Sequence, residues 1–339
     1  MSANILRQPL KIGDVEIPNR VFLAPMSGVT DLPFRKLAHD YGAGLVVSEM
    51  VASQALMEGE TEMQLKVLSD NIPLHVVQLA GREAYWMGEA AKVAEANGAN
   101  IVDINMGCPA KRVTTGYSGS ALMRDLDHAL MLVEAVVSAV KVPVTLKMRL
   151  GWDHSSLNAP ELAERAQEAG VQLITVHGRT RCQFYKGTAD WDAVAAVRDA
   201  IHLPLVVNGD ICDHETARFA LEKSGADAVM IGRASYGRPW LPAHIAGVLS
   251  NEEVQKQKLD IHAVISHHEE MLSFYGSELG IRQARKHLGW YMDHLPVQSS
   301  ISHLKRMIMT SFDVSEIHQH LHEVFEIART EAAITEIAA

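Results

Sequence analysis

An apolar run, Ile101-Val102-Asp103-Ile104, breaks at Gly107-Cys108-Pro109, and two cations, Lys111 and Arg112, precede a loop rich in Gly, Ser and Thr. A cysteine fixed between Gly and Pro at a strand end has a rigid backbone and a free sulfur. Three roles are open to it: small buried hydrophobe, nucleophile and general acid. A free thiol has a pKa of about 8.5 and is mostly protonated at neutral pH. With no histidine beside it in sequence, that suits a proton donor better than a nucleophile. Other apolar runs also end in residues with chemical capacity: Pro25-Met26-Ser27, Ser48-Glu49-Met50, Gln78, Asn105, Lys147 with Arg149, His177-Gly178-Arg179, Asn208-Gly209-Asp210 and Gly232-Arg233. Lys147 closes a run of Val, Leu and Met, where a cation either pairs with a carboxylate or stabilises an anion. Gln78 can offer a donor and an acceptor to a planar heterocycle. Cys182 and Cys212 have no comparable setting and read as structural.

These residues need a scaffold that gathers many strand ends in one place. A unit recurs in which a helical pattern ends on Gly plus a small residue and an apolar strand follows, at Gly42-Ala43, Gly98-Ala99, Gly170-Val171 and Gly225-Ala226. Gly serves the left-handed conformation at a helix C-terminus. Apolar strands are expected at 21–24, 45–48, 74–79, 101–104, 144–148, 173–177, 205–208 and 228–231, with the clearest helices at 83–97, 125–140, 160–169 and 215–224. A short hairpin is expected within 10–20, and a helix capped by Thr30 or Asp31, with Pro33 in its first turn, should run to Tyr41. Strands alternating with helices imply parallel pairing. Eight such units match an α/β fold of the (β/α)8 TIM-barrel type. The rival, a doubly wound sheet, would carry a glycine-rich phosphate loop after its first strand, and no GxGxxG stands there. Beyond Asn251 strand patterns stop, and three or four amphipathic helices are expected with breaks near 276–280, 296 and 311–313. The expected organisation is a barrel domain at 1–245 and an α-helical bundle at 246–339.

In TIM barrels chemistry gathers at the C-terminal strand ends, and phosphates bind after the seventh and eighth strands. Asn208-Gly209-Asp210 and Gly232-Arg233 stand at those addresses, where Gly lets backbone N–H groups approach closely. A phosphate site, a cation and an amide around one mouth describe a pocket for flavin mononucleotide (FMN). The ring would lie over Pro25-Met26 and Lys147 would stand at its N1/O2 edge, with hydride chemistry left to the flavin.

The net charge is −10, with 47% hydrophobic and 21% charged residues, a globular composition that at first argues against a polyanionic partner. Net charge says little about local patches, however. No run approaches the roughly 18 apolar residues of a membrane span, and the N-terminal MSANILRQPLKIGD lacks the apolar core of a signal peptide. A cytoplasmic protein with no membrane partner is expected. Three cysteines are too few and too scattered for a disulfide framework or a CxxC metal site. His267-His268-Glu269-Glu270 lacks the HExxH spacing of a zinc hydrolase, so no metal is expected.

Read in order, the motifs resemble those of the tRNA-dihydrouridine synthases, in particular the bacterial B type. The matching stretches are Ala24-Pro25-Met26 with Thr30-Asp31 and Pro33-Phe34-Arg35, Ser48-Glu49-Met50, Gln78-Leu79, and Asp103 through Lys111. They continue with Gly119-Ser120-Ala121-Leu122, Lys147-Met148-Arg149 before Gly151-Trp152, His177 through Arg181, Asn208 through Ile211, Ile231 through Ala234, Gly237 through Trp240, and Arg282 with Ala284-Arg285-Lys286-His287. The resemblance covers nearly the whole chain; the C-terminal end matches in helical character only.

The resemblance implies NADPH-driven reduction of the uracil C5–C6 double bond in tRNA on a flavin barrel. Cys108 would protonate C5 while hydride reaches C6. Pro25, Met26, Ser27, Gln78, Lys147, His177, Asn208, Gly209, Asp210, Gly232 and Arg233 would bind FMN, and Asn105 and Arg149 would face the uracil. A base inside folded tRNA must leave its stack to be reached, and the surface receiving the phosphates should be basic. Lys111, Arg112, Arg179, Arg181, Lys186 and Arg238 on the rim, and Arg282, Arg285, Lys286, Lys305 and Arg306 in a tRNA-binding bundle, are the candidates. tRNA and NADPH are thus the partners implied, with no obligate protein partner. One rival is an FMN-dependent dehydrogenase of a free small molecule, of the dihydroorotate type, which has no need of a basic bundle. Another is a non-catalytic RNA-binding protein, which has no need of Gln78, Cys108, Lys147 and His177.

Overall fold

Short apolar runs punctuated by Gly and Pro become strands in the computed structural model, which describes residues 5–69, 72–258, 260–297 and 299–338. The first four residues of the N-terminal stretch read above lie outside that range. Strands β1 (Leu10–Ile12) and β2 (Val15–Ile17) form an antiparallel hairpin. β3 (Val21–Leu23), β4 (Leu45–Ala52), β5 (Val76–Ala80), β6 (Ile101–Met106), β7 (Val144–Arg149), β8 (Leu173–His177), β9 (Leu205–Asn208) and β10 (Ala228–Ile231) close into a parallel barrel, with β10 pairing back to β3. All the expected strands are present.

The barrel strands are covered on both faces, which is why they read as continuous apolar runs. Val102, Ile104, Met106, Leu146 and Met148 face outward under the helices. Phe22, Leu45, Val76, Ile101 and Val206 fill the interior together with Ile12 and Ile17 of the hairpin, which stoppers the N-terminal end. Ile12 and Ile17 are fully buried; each such burial contributes about 1.5–3 kcal/mol.

The opposite end is polar inside, and register sorts its residues into tiers. Gln78, Asp103 and Thr145 are neighbours across β5, β6 and β7. Asn105, Lys147 and Thr175 come next, then Arg149, His177 and Asn208. Helices Ala84–Ala96, Leu126–Ala139, Ala159–Glu168, Asp192–Ala200 and His214–Ser224 link the strands. Helix Leu32–Tyr41 starts on Asp31, whose carboxylate accepts from Phe34 N at 3.1 Å, and stops at Gly42, φ 106°.

Helices Asn251–Lys258, Ile261–Tyr275, Ser277–Asp293, Ser302–Thr310 and Val314–Ala338 follow. The extra break relative to expectation comes at Asp260, whose carboxylate caps the second of them through His262 and Ala263. Val254 belongs to the barrel's core, and the bundle's own core begins at Ile261. The bundle docks on helix Leu32–Tyr41 through Tyr275 Oη to Asp31 Oδ2 (3.1 Å), Tyr41 Oη to Gln257 Oε1 (2.9 Å) and Lys36 to Glu270 (3.2 Å). Among the described residues, no helix is long and apolar enough to cross a membrane, and no group of three or more His, Cys, Asp or Glu is placed to hold a metal ion.

Barrel and bundle both bury imidazoles: His267 and His287 pack on Phe34 across the interface, His75 Nε2 donates to Val67 O on the barrel, and His268 meets His318 within the bundle. Burial drives His75 down to about 4, His267 to about 3 and His268 to about 4, and holds His287 well below its ordinary value. Unfolded, each titrates near ~6.5, so their contribution to stability is complete above that pH and is lost as pH falls through it. Asp31 and Asp103, pushed up to about 7 and about 6 mainly by burial, take up protons in the folded state over the same window and oppose the trend. With His177 also held neutral by burial, the buried imidazoles outnumber these two carboxyls, and the imidazole trend prevails below pH ~6. Thermal melts should therefore fall steeply from pH 6 to 5, and less steeply for His287→Phe. A flat melting temperature across that window would contradict neutral buried imidazoles.

Candidate active site

The chain leaves β6 at Met106 and turns back on itself around Cys108. Asn105 Oδ1 accepts from Gly107 N (3.2 Å) and Cys108 N (3.0 Å), and Arg149 Nε donates to Gly107 O (2.8 Å). Cys108 O accepts from Ser120 Oγ (2.8 Å) and Ser120 N (3.1 Å). A Cβ at Gly119 (φ 60°) would lie 2.9 Å from Cys108 O, so only glycine lets the following loop close on the turn. The thiol is half-buried. Burial pushes its pKa up, opposed in part by the Ala110 N–H and by Arg149 and Lys147. It is held protonated at neutral pH, and no histidine is among the groups acting on it.

Below the turn runs a buried chain of side chains. Thr145 Oγ1 donates to Asp103 Oδ1 (2.6 Å), Gln78 Nε2 to Asp103 Oδ2 (2.7 Å), and Asn105 Nδ2 to Gln78 Oε1 (2.7 Å). Both ends of the Gln78 amide thus serve the protein, one N–H remaining, and Asn105 supports Cys108 rather than standing free at the mouth. The sequence reading missed Asp103 as a participant. Its signal was present: a carboxylate inside the apolar run Ile101–Ile104.

Arg149 is only 1% exposed. Its Nη1 donates to Thr180 O (2.9 Å) and Phe184 O (2.8 Å), so the guanidinium ties the Cys108 turn to the loop after β8. On that loop the exposed ring of Tyr185 lies 5.5 Å from the Arg149 guanidinium and 4.8 Å from that of Arg233, an aromatic at the mouth that sequence reasoning did not single out.

Lys147 Nζ donates to Asn208 Oδ1 (3.0 Å), and Asn208 Nδ2 to Met230 O (2.8 Å). Burial, then Arg149, lowers Lys147 to about 8. Burial also holds His177 neutral, aided by the cations Lys147, Arg149, Arg179 and Arg233 around it. Arg179, expected on the RNA-facing rim, is instead buried: its Nη2 donates to Asp210 Oδ2 (2.6 Å) and Gly187 O (2.7 Å). Arg233 stands 3.9 Å from Asp210 on the exposed side.

Gly209 has φ 117°, and a Cβ there would come within 2.8 Å of Ala189 Cβ. At Gly232 a Cβ would meet nothing closer than Met26 Sδ, at 3.8 Å, which leaves a gap between the end of β10 and the Pro25-Met26-Ser27 turn. That turn is fixed by Thr30 Oγ1 accepting from Met26 N (2.8 Å) and by Glu49 Oε1 accepting from Gly28 N (2.5 Å).

The other expected cations divide by role. Lys111, Arg112 and Lys186 are exposed on the rim, and Arg181 lies 4.6 Å over the Trp152 ring. Arg238 is half-buried and donates to Ala234 O (2.9 Å). In the bundle, Arg282 is exposed and paired with Glu278 (2.7 Å), and Lys305 pairs with Asp293. Arg285 Nη2 donates to Thr310 O (3.3 Å) and Ser311 O (3.1 Å), closing the end of helix Ser302–Thr310. Lys286 points across the interface: its Nζ would lie 3.5 Å from a Cβ at Gly28, in the field of Asp31 and Glu49.

Residues 22–330 match the family model for dihydrouridine synthase. A probable tRNA-dihydrouridine synthase of Rhizobium leguminosarum bv. phaseoli is 54% identical over 313 residues, covering 92% of this chain and 97% of the relative. tRNA-dihydrouridine synthase B of Pseudomonas aeruginosa is 44% identical over 291 residues, covering 85% and 88%. Among solved structures, a 2-naphthoyl-CoA reductase bound to 2-naphthoyl-CoA superposes with TM-score 0.60 at 14% identity, over 75% of this chain and 54% of that one. A morphinone reductase mutant bound to tetrahydroNAD gives 0.54 at 17% identity, over 72% and 91%. These distant structures share the barrel fold, whereas the sequence relatives carry the likeness along nearly the full length. The chain belongs to the dihydrouridine synthase family.

Proposed function

We propose that this protein is a tRNA-dihydrouridine synthase that uses FMN and NADPH to reduce the C5–C6 double bond of uridine in tRNA, with Cys108 as proton donor. The family and the names of its relatives support the reaction class. The observation that carries the residue assignment is the Cys108 backbone held by Asn105, Ser120 and Arg149 at the barrel mouth, with burial favouring the protonated thiol.

The residues present fit an anionic flavin. Among the described residues Lys147 Nζ has one hydrogen-bond partner, so its remaining N–H groups are available to an acceptor. Four cations surround His177. The gap beside Gly232 accepts bulk where any side chain would fill it. Pro25, Met26 and Ser27 would hold the ring, Lys147, Asn208, His177 and the free N–H of Gln78 its polar edge, and Gly209, Asp210, Gly232 and Arg233 the phosphate. When bound, the flavin supplies hydride to C6 of the uracil. Cys108 Sγ–H gives its proton to C5, so one hydride and one proton complete the reduction. The thiolate left behind is stabilised by Arg149 and Lys147, the charges that already lower its pKa. Tyr185, exposed between two guanidiniums, offers a face to the planar base. Lys111, Arg112, Arg181 and Lys186 on the rim, with Arg282 of the bundle, would receive tRNA phosphates.

An absorbance spectrum tests the reading. Flavin bands are expected that bleach with NADPH and recover anaerobically when unmodified tRNA is added. Bands that bleach and ignore tRNA would point to a dehydrogenase of a free small molecule. A colourless protein that takes up no flavin would undo the account of the strand ends.

A further inference from the structure

Among the described residues, three other than glycine adopt a left-handed backbone: Tyr117, Phe184 and Asp210, each with φ 56°. All three lie on loops that follow barrel strands. Asp210 is explained by its carboxylate, which accepts from Arg179 and from Ala189 N. The other two are bulky aromatics, for which this conformation is a true outlier. Both are exposed, at 63% and 43%. Backbone outliers of this kind persist only where their surroundings over-determine them, and they cluster at functional sites.

Tyr117 ends the short helix Lys111–Thr114. Its N–H donates to Thr114 O (3.2 Å), and Ser118 N donates to Val113 O (3.3 Å). This is the place where glycine usually ends a helix without steric penalty, yet Gly116 comes one residue too early. Phe184 closes the turn from Arg181, its N–H donating to Arg181 O (3.0 Å). At both positions the backbone would be easier with glycine and the ring lies outside the core, that of Phe184 meeting the neighbouring Tyr185 ring edge-on at 4.7 Å. The side chain itself must be needed at the surface.

Both loops frame Cys108. The first packs against the Cys108 backbone through Gly119. The second is joined to the Cys108 turn by Arg149, which donates to Gly107 O and Phe184 O. Arg181 Nη2 links the two loops at Thr114 Oγ1 (3.4 Å). Lys111, Arg112, Arg181 and Lys186 are interleaved with the rings in sequence. Exposed aromatic rings and cations on two linked loops suit an unstacked nucleic-acid strand, whose bases stack while its phosphates pair.

We infer that Tyr117 and Phe184 bracket the target uridine by stacking on the nucleobases to either side of it once it has left the stack. This rests on the reading that the substrate is tRNA. The test uses the full-length, flavin-loaded protein. Tyr117→Gly keeps the left-handed turn and removes the ring, so it should melt at or above the parent's temperature yet bind tRNA about tenfold or more weakly. Phe184→Gly should behave alike, and Tyr117→Phe should bind like the parent. Tyr117→Asn, whose side chain also tolerates this conformation, serves as a second ring-free variant if glycine loosens the turn. Ring-free variants that bind tRNA as tightly as the parent overturn the inference. A parent protein that binds no tRNA would instead bring down the reading beneath it.

Discussion

Cys108→Ala is expected to slow uridine reduction by about 100- to 10,000-fold, the range associated with a lost general acid, while flavin remains bound. Burial is the larger influence on this thiol, and it raises the pKa. The proton is therefore present throughout the neutral range and is lost only as pH rises above the ordinary thiol value of about 8.5. The parent's rate should hold level through neutrality and decline on the alkaline side through Lys147, lowered to about 8, and through the thiol. Cys108→Ala should lose the thiol's share of that limb. Single-turnover assays on unmodified tRNA across pH 6 to 10 measure both effects. A variant that turns over at the parent's rate would rule out Cys108 as the donor.

Arg149→Ala is expected to lower stability by about 3 kcal/mol or more. Its guanidinium serves the buried carbonyl of Thr180 and the half-buried ones of Gly107 and Phe184. A buried acceptor left without a partner costs roughly 1–3 kcal/mol, and the two half-buried ones add to it. The Cys108 turn loses its tie to the loop after β8, so the thiol should also alkylate faster in the flavin-loaded protein. Arg149→Lys should not rescue, because one ammonium cannot span acceptors on two loops as the planar fork does. A residue that only faced the uracil would lower tRNA-dependent turnover and leave both the melting temperature and the alkylation rate unchanged. That pattern would return Arg149 to the role expected from family resemblance alone.

Much of this molecule is legible one segment at a time. Gly and Pro at Gly42-Ala43, Gly98-Ala99, Pro143 and Pro204 act locally on the backbone, so strand and helix bounds fall within a few residues of expectation. The parallel sheet, buried on both faces, writes itself as short apolar runs, and a polar residue closing such a run marks the barrel mouth. Cys108, Lys147, His177 and Asn208 were therefore visible without coordinates, as was a cap at Thr30 or Asp31 for the first barrel helix, which the structure gives to Asp31.

The partners of those side chains were not visible. Asn105 and Gln78 are 27 positions apart, and Lys286 reaches Gly28 from the C-terminal helices. Whether a cation meets a carboxylate, a carbonyl or solvent depends on how loops return over the rim. The same residue type therefore becomes a buried anchor at Arg179, a helix closure at Arg285 and an exposed ion pair with Glu278 at Arg282. Periodicity and turn chemistry are properties of a few consecutive residues, and they determined the strands, the mouth and the thiol. Hydrogen-bond satisfaction is a property of the packed whole, and only the tertiary structure decided which of the polar residues at that mouth hold the thiol and which remain free for a ligand.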